Sequence, residues 1–514
     1  MIRTLALTLA TTSLLAAAAQ AAPMLSATRL FVAPTGSAAE IPAYDKRNNR
    51  LFVSSPSAIT YYDATTGAAL GSVNVASVFA GSPNSIAIQG NLLAVAMEAA
   101  TKTDPGRVLV YRLDDLGAAP RVFTVGAQPD MITFAPGGRI LTANEGEPNS
   151  YGLPTSVDPE GSVSIIDLKS GTVATADFSA FNGSKAALQA AGVRLNAPGA
   201  TVAQDLEPEY IAISKDGTRA MVTLQEANAV AIIDIASASV IDIKSGGYKS
   251  FAVGGPFTID PNDQDGGYFR RQRDNTYAVY QADGIARFTI DGIDYYITAD
   301  EGDARDWDNI GGLGINSELV RAGAAFAPFN RLEVIRPSLY GAAVPAGAEL
   351  ITIGGRGFRI LDASGSMLYE SGDRIEDIVA GEFPGNRNNG RDDNKGAEPE
   401  DVKIGHINGR TIAFIGLERA NGTTPGLVLA FDLTGYVPGM VPTYLGGISD
   451  DAIGRPEGLV FWRNGGRAFL GVADEITFNL AVFEIGLLGV PAPSAVALFG
   501  LGLLGLAAAR RRRA

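Results

Sequence analysis

The sequence contains no cysteine, so it forms no disulfide, thiolate metal site or cysteine nucleophile. It contains one histidine, His406. A Ser-His-Asp hydrolase would need that ring beside a nucleophile, and histidine-bound zinc or iron would need more than one. IGHINGR (404–410) reads as the connection between two strands, which makes His406 a turn residue. Positive charge is also scarce: 41 Lys and Arg face 55 Asp and Glu, for a formal charge of −14. Setting aside Arg3 and Arg510 to Arg513, five positive charges at the chain ends, takes −14 to −19. A body this acidic argues against nucleic acid or an anionic membrane surface as partner. Any catalysis is left to carboxylates, metals, lysine, arginine or tyrosine.

What the chain has in abundance is short apolar runs separated by turns, with 61 glycines and 27 prolines. SPNSIAI (82–88), QPDMITF (128–134), EPEYIAI (207–213), QADGIAR (281–287), EPEDVKI (398–404) and RPEGLVF (455–461) line up as units of a degenerate repeat. Each continues through a polar turn and a second strand to a glutamate: Glu98, Glu145, Glu226, Glu301, Glu418 and Glu475. The residue after the proline, or after Ala282, is Asn84, Asp130, Glu209, Asp283, Glu400 or Glu457. Ile- and Val-rich runs broken by Asp-Gly or Asn-Gly pairs signal strands and hairpins, and all-strand repeats of this size point to a β-propeller with four-stranded blades. A seventh, weaker unit comes first, with Ile41-Pro42-Ala43, RLFVSS (50–55) and AITYYDA (58–64). The expected fold is therefore all-β, a seven-bladed propeller over residues 25–487. Its last unit stops one strand short after LAVFEI (480–485), and RLFVA (29–33) is expected to fill the place and close the ring.

In a blade the innermost strand starts on one face of the disc and the second strand returns to it. Both acidic positions therefore fall on one face, around one end of the axial channel. Two like charges about 5–6 Å apart repel by roughly 3 kcal/mol at an effective dielectric near 20. Such a ring needs cations, interleaved basic side chains or bound protons. Glu145, Glu226, Glu301, Glu418, Glu475, Glu209, Glu400 and Glu457 are the candidate metal ligands, and hard carboxylate oxygens suit Ca²⁺ ahead of Mg²⁺. Lys395, Arg419, Arg305 and Arg455 lie close to these acids in sequence and are expected either to pair with them or to bind an anionic group.

Long insertions are expected on the same face, at 151–158 and between 307 and 348, and loops of this length are more often functional than idle. Asp260-Pro261-Asn262-Asp263-Gln264-Asp265-Gly266-Gly267 shares part of a calcium-loop pattern but lacks a closing glutamate, so a local Ca²⁺ turn and a solvated loop both remain open. PGNRNNGRDDNKG (384–396) is expected to carry Arg391, Asp392, Asp393 and Lys395 over the channel mouth.

The chain ends indicate export. Met1-Ile2-Arg3, an apolar stretch and Ala19-Gln20-Ala21 predict a signal peptide over 1–21. Val490-Pro491-Ala492-Pro493-Ser494 leads into AVALFGLGLLGLAAA (495–509), shorter than the roughly 20 residues of a spanning helix, and then into Arg510 to Arg513. The segment 490–514 resembles the PEP-CTERM sorting signal, with Ala492 where that signal usually carries Glu. The resemblance implies processing by exosortase-type machinery, membrane contact only through this segment, and a place on the surface or in the matrix of a Gram-negative bacterium.

ANEGEPN (143–149), DPEGSVSIID (158–167), EPEYIAISKDGTRAMVTLQEANAVAIIDI (207–235), IDPNDQDGG (259–267), TADEGDARDW (298–307) and NKGAEPEDVKIGHINGRTIAFIGLERANG (394–422) together resemble the choice-of-anchor I family of exported propellers. That resemblance implies seven blades and lends no activity. RPEGL (455–459) also resembles a motif of esterase-like phytases, and ANEGEP one of calcium-dependent propeller phosphatases. The latter use a cysteine-anchored iron centre that this chain cannot build. Two functions follow: a calcium-holding binding module for a glycan or surface protein, or a calcium-dependent phosphoesterase in which Ca²⁺ activates water and Lys395, Arg419 or Arg305 binds the anion. No nucleophile or poised base is identifiable.

Overall fold

The computed structural model describes residues 23–306, 314, 317–420 and 423–489. The expected signal peptide (1–21) and sorting segment (490–514) lie outside the described residues. The strands follow from sequence in a graded way. Central strands such as Leu92–Ala99 and Ala229–Asp234 are buried along nearly their whole length, so they read as continuous apolar runs. Outer strands such as Ala69–Val73 and Thr172–Asp177 expose all but one residue. The hairpin into the outer strand is fixed by a recurring aspartate. Asp63 accepts from the amides of Thr65 and Thr66, Asp167 from those of Lys169 and Ser170, and Asp234 from those of Ala236 and Ser237.

Seven four-stranded antiparallel sheets result among the described residues. Four of them use consecutive strands within 42–73, 81–127, 129–177 and 208–245. The fifth is Ile285–Ile290, Ile293–Asp300, Gly357–Leu361 and Met367–Glu370, and the sixth spans 399–450. The seventh combines Pro456–Asn464, Arg467–Asp474 and Asn479–Leu488 with Met24–Pro34, which runs antiparallel to Asn479–Leu488. First strands of successive sheets touch in order, and Pro456–Asn464 touches Pro42–Asp45 again. This is the arrangement of a β-propeller. The core lies between neighbouring sheets: Phe414 and Val428 pack with Leu470 and Phe483, and Leu51 and Tyr62 with Trp462 and Val482. Each such large side chain contributes about 1.5–3 kcal/mol by leaving water.

The segments inserted around the fifth sheet build structure of their own. Tyr248–Ser250, Thr276–Val279 and Leu350–Thr352 form a three-stranded sheet with one parallel pair, and Leu319–Arg321 pairs with Glu333–Ile335. His406 is an exposed residue near the end of the strand Pro399–Ile407, two residues before the Asn408-Gly409 turn rather than in it.

A carboxylate-lined cavity

The two acidic positions meet because register brings them together. Pro129 pairs with Asn144, Pro399 with Leu417 and Pro456 with Asp474. The acid after each proline therefore lies at the same sheet end as the glutamate after each partner. Backbone hydrogen bonds hold the glutamates there: Glu145 N donates to Gln128 O at 3.0 Å, Glu418 N to Glu398 O at 2.8 Å and Glu475 N to Arg455 O at 3.1 Å. In the fourth sheet Pro208 pairs with Leu224, so the equivalent position is Gln225. Glu226 sits one residue beyond the repeat position assigned to it from sequence, yet it still faces the same space.

That space is a cavity of about 610 Å³. All eight expected ligands line it: Glu145, Glu209, Glu226, Glu301, Glu400, Glu418, Glu457 and Glu475. Asp130 and Asp283 join them, whereas Glu98 is placed to accept from Asn84 Nδ2 at 3.4 Å and is not among the lining residues. Sequence reasoning missed Glu40, Glu147, Asp303 and Asp401. Two of these carried a usable signal, because Glu145-Gly146-Glu147 and Glu301-Gly302-Asp303 share the pattern acid-Gly-acid. Both glycines adopt positive φ, 70° and 87°, and a Cβ on Gly302 would lie 2.4 Å from the Gly354 backbone. The residue before the inner strand is also left-handed at three sheets without being glycine: Gln128, Gln281 and Glu398, at φ 47°, 50° and 52°. Conformations of this kind cost of order 1–3 kcal/mol each and gather at functional sites. Here they turn Gln128 Nε2 toward Glu145 and Glu147, and Glu398 toward Lys395.

Among the described residues fourteen acidic side chains line the cavity against two cationic ones, Lys395 and Arg419. Both cations are already engaged. Lys395 Nζ lies 2.5 Å from Glu301, 3.0 Å from Glu398 and 3.5 Å from Asp303, and Arg419 Nε lies 2.7 Å from Glu418. Arg455 pairs with Glu475 at 3.2 Å. Arg305 does not line the cavity; it is buried with Asp205 at 3.1 Å and Glu207 at 3.9 Å. Among the described residues no ion pair reaches Asp130, Glu145, Glu209, Glu226, Asp283, Glu400 or Glu457. Desolvation therefore raises their pKa values, and neighbouring carboxylates add to it: Asp130 and Glu226 are pushed up to about 7 and Glu40 to about 8. Asp283 rises to about 6, and Glu145, Glu209, Glu301, Glu400 and Glu457 rise well above the usual range, again chiefly through burial. For Lys395, burial lowers the pKa, but Glu301, Glu398 and Asp303 outweigh it and the ammonium is held more firmly than usual.

Among the described residues three carboxylate groups have the spacing to hold an ion, with ligand oxygens within 4.8 Å of one another: Asp130/Glu145/Glu209, Asp283/Glu301/Glu400 and Glu301/Glu398/Glu418. The 260–267 loop is different. Asp260 faces Arg387 at 3.3 Å, Asp263 faces Arg331 at 2.7 Å and Asp265 faces Arg271 at 2.9 Å, so guanidinium groups stand where a calcium turn would need an ion. The 384–396 loop also departs from expectation. Only its Lys395 lines the cavity, while Arg391 binds Glu398, Asp392 binds Arg387 and Asp393 binds Arg321.

The choice-of-anchor I domain matches residues 40–436. The chain belongs to the choice-of-anchor I family. A PEP-CTERM protein-sorting motif matches residues 489–513, which marks an exported protein with a C-terminal anchor and points to exosortase-type sorting. No curated protein matches the sequence. Among solved structures the chain is similar to Kuenenia stuttgartiensis hydrazine synthase (14% identity, 87% of this chain and 95% of that chain covered, TM-score 0.47). It is also similar to a chain of the mitotic checkpoint complex (11%, 94% and 99%, 0.48) and to the Cps50 (Swd1) β-propeller domain of Myceliophteria thermophila (9%, 89% and 99%, 0.45). In this choice-of-anchor I chain the acidic cavity thus belongs to an exported β-propeller.

Proposed function

We propose that this choice-of-anchor I protein is a seven-bladed propeller closed by its N-terminal strand, exported by way of a signal peptide over 1–21. Its axial carboxylates bind a divalent cation, Ca²⁺ ahead of Mg²⁺, and the loaded site serves as a binding module for a glycan or another surface protein at the cell surface or in the extracellular matrix of a Gram-negative bacterium. The observation that carries this reading is charge balance: fourteen acids share one cavity with two cations that are already paired. A cation with six to eight oxygen ligands is the simplest partner for such a set. The phosphoesterase reading is less favoured, because it needs a cation available to an anionic group. Lys395, Arg419 and Arg455 are each held by carboxylates, and Arg305 lies outside the cavity. Calorimetric titration of the metal-stripped propeller with Ca²⁺ tests the metal. Saturable binding stronger than that of Mg²⁺ is expected; no binding heat and no calcium retained on dialysis would refute it.

A further inference from the structure

We infer that the cavity contains one site for an exchangeable divalent cation, at Asp130, Glu145 and Glu209, and a second, related site whose cation is supplied by the protein as the Lys395 ammonium. This rests on the metal-binding reading above and deepens it.

The two sites are built by one rule. Asp130 and Glu145 come from the third sheet, and Glu209 is the proline-following acid of the next sheet along the chain. Asp283 and Glu301 come from the fifth sheet, and Glu400 is the proline-following acid of the sixth. Their surroundings differ in charge. Around the second site the residue before the inner strand is Glu398, which joins Glu301 and Glu418 in a further cluster, and Lys395 Nζ contacts Glu301 at 2.5 Å and Glu398 at 3.0 Å. Glu207 takes the place of Glu398 at the first site and faces Arg305 Nε at 3.9 Å, but Arg305 does not line the cavity, and among the described residues no lysine or arginine pairs with Asp130, Glu145 or Glu209. An ammonium with three N–H donors can satisfy clustered carboxylates much as an ion does. Lys395 is fixed for this by its loop and is only 8% exposed.

A second observation places an exchangeable ion at the first site. Glu226 is 6% exposed and lines the same cavity, yet among the described residues its Oε2 has no hydrogen-bond partner. Buried carboxylate oxygens are normally satisfied. Glu226 lines the cavity together with Glu145 and Glu209 and adds to the repulsion that raises their pKa values. A divalent ion at the triad would relieve all four; Glu400 Oε2 of the second triad also lacks a hydrogen-bond partner among the described residues, but there the Lys395 ammonium already stands against Glu301.

The test is calcium stoichiometry and affinity by equilibrium dialysis and calorimetry on the propeller, comparing Glu209→Gln, Glu301→Gln and Lys395→Met. Glu209→Gln should weaken Ca²⁺ binding at least about tenfold, the lower end of what even outer-shell changes cost a metal site. Glu301→Gln should leave wild-type stoichiometry and affinity within about twofold, because its partner is Lys395. Lys395→Met should add one bound Ca²⁺ per chain, and Lys395→Arg should not. If wild-type protein binds no Ca²⁺, the metal-binding reading itself fails. If it binds Ca²⁺ but Glu301→Gln loses it as Glu209→Gln does, or folded Lys395→Met gains none, the division into two sites is overturned while metal binding stands. Should Lys395→Met not fold, the contrast between the two glutamine variants decides.

Discussion

Calcium and protons should compete for the cavity, and their competition should be visible in the melting temperature. Glu226, Asp130, Asp283 and Glu40 have folded-state pKa values raised to about 7, about 7, about 6 and about 8, mainly by burial. For a carboxyl raised in this way, the folded state holds the proton more tightly than the unfolded chain does. Its stabilising contribution is complete below the unfolded pKa and is lost as pH rises through the folded value. For Glu226 the interval from 4.5 to about 7 corresponds to about 3 kcal/mol, and the coupled neighbours share rather than multiply that figure. Metal-stripped protein should therefore melt at progressively lower temperature between about pH 5 and about pH 8.

Calcium should reverse the trend. Binding to the folded state alone adds about 2.7 kcal/mol when the ion is a hundredfold above its dissociation constant. At roughly 2 cal/mol/K of unfolding entropy per residue, a propeller of this length changes melting temperature by about 1 °C per kcal/mol, so the gain should be about 3 °C. It should grow with pH as fewer protons have to be displaced, exceed the effect of NaCl at equal ionic strength, and shrink in Glu226→Gln. Differential scanning calorimetry across the pH range, with and without Ca²⁺, measures all of this. A melting temperature indifferent to Ca²⁺ in protein proven metal-free by elemental analysis, or a calcium gain that falls as pH rises, would refute the reasoning.

Other expectations concern what holds the cavity in place. Arg359 forms a bidentate pair with Asp300 at 2.8 and 2.9 Å, both almost wholly buried; Arg359→Met should cost about 3–5 kcal/mol in urea unfolding by stranding the carboxylate. A Cβ on Gly458 would lie 2.4 Å from Glu40 O, where the seventh sheet meets the first; Gly458→Ala should destabilise by about 1–3 kcal/mol and weaken Ca²⁺ binding together. Removing residues 24–34 would leave Asn479–Leu488 as an open edge, and light scattering should then report self-association that the intact protein lacks.

The strands were legible because their signals are local. Apolar runs of four to nine residues between Asp-Gly or Asn-Gly turns located the inner and central strands of most sheets, and the repeated proline plus acid located the cavity wall. The sheet of Tyr248–Ser250, Thr276–Val279 and Leu350–Thr352 was not legible, since its strands have only three or four residues and its parallel pair joins distant segments. At the repeat position of the fourth sheet the residue is Gln225 and the glutamate follows it, although the register with its irregularity between Pro208 and Ile211 is the same as in the third, sixth and seventh sheets, so only the paired backbone separates Gln225 from Glu226.

Charge compensation was the harder part to read, for a reason visible in Arg305 and Lys395. Arg305 follows Glu301 by four residues, and sequence proximity made it a candidate partner of the acids. The chain bends at Gly302, where φ is 87°, and Arg305 ends up beneath the wall with Asp205 and Glu207. Lys395 sits in a loop dense with charge; of the two glutamates it binds, Glu398 is three residues away but Glu301 is 94. An acidic ring can be counted from repeats, because each blade contributes its carboxylates by the same local rule. Which acids keep their charge uncompensated depends on where a few long side chains from irregular loops come to rest, and no periodicity records that. Among the described residues no lysine or arginine reaches Asp130, Glu145, Glu209 and Glu226, nor Asp283, Glu400 and Glu457, whereas Lys395 holds Glu301 and Glu398.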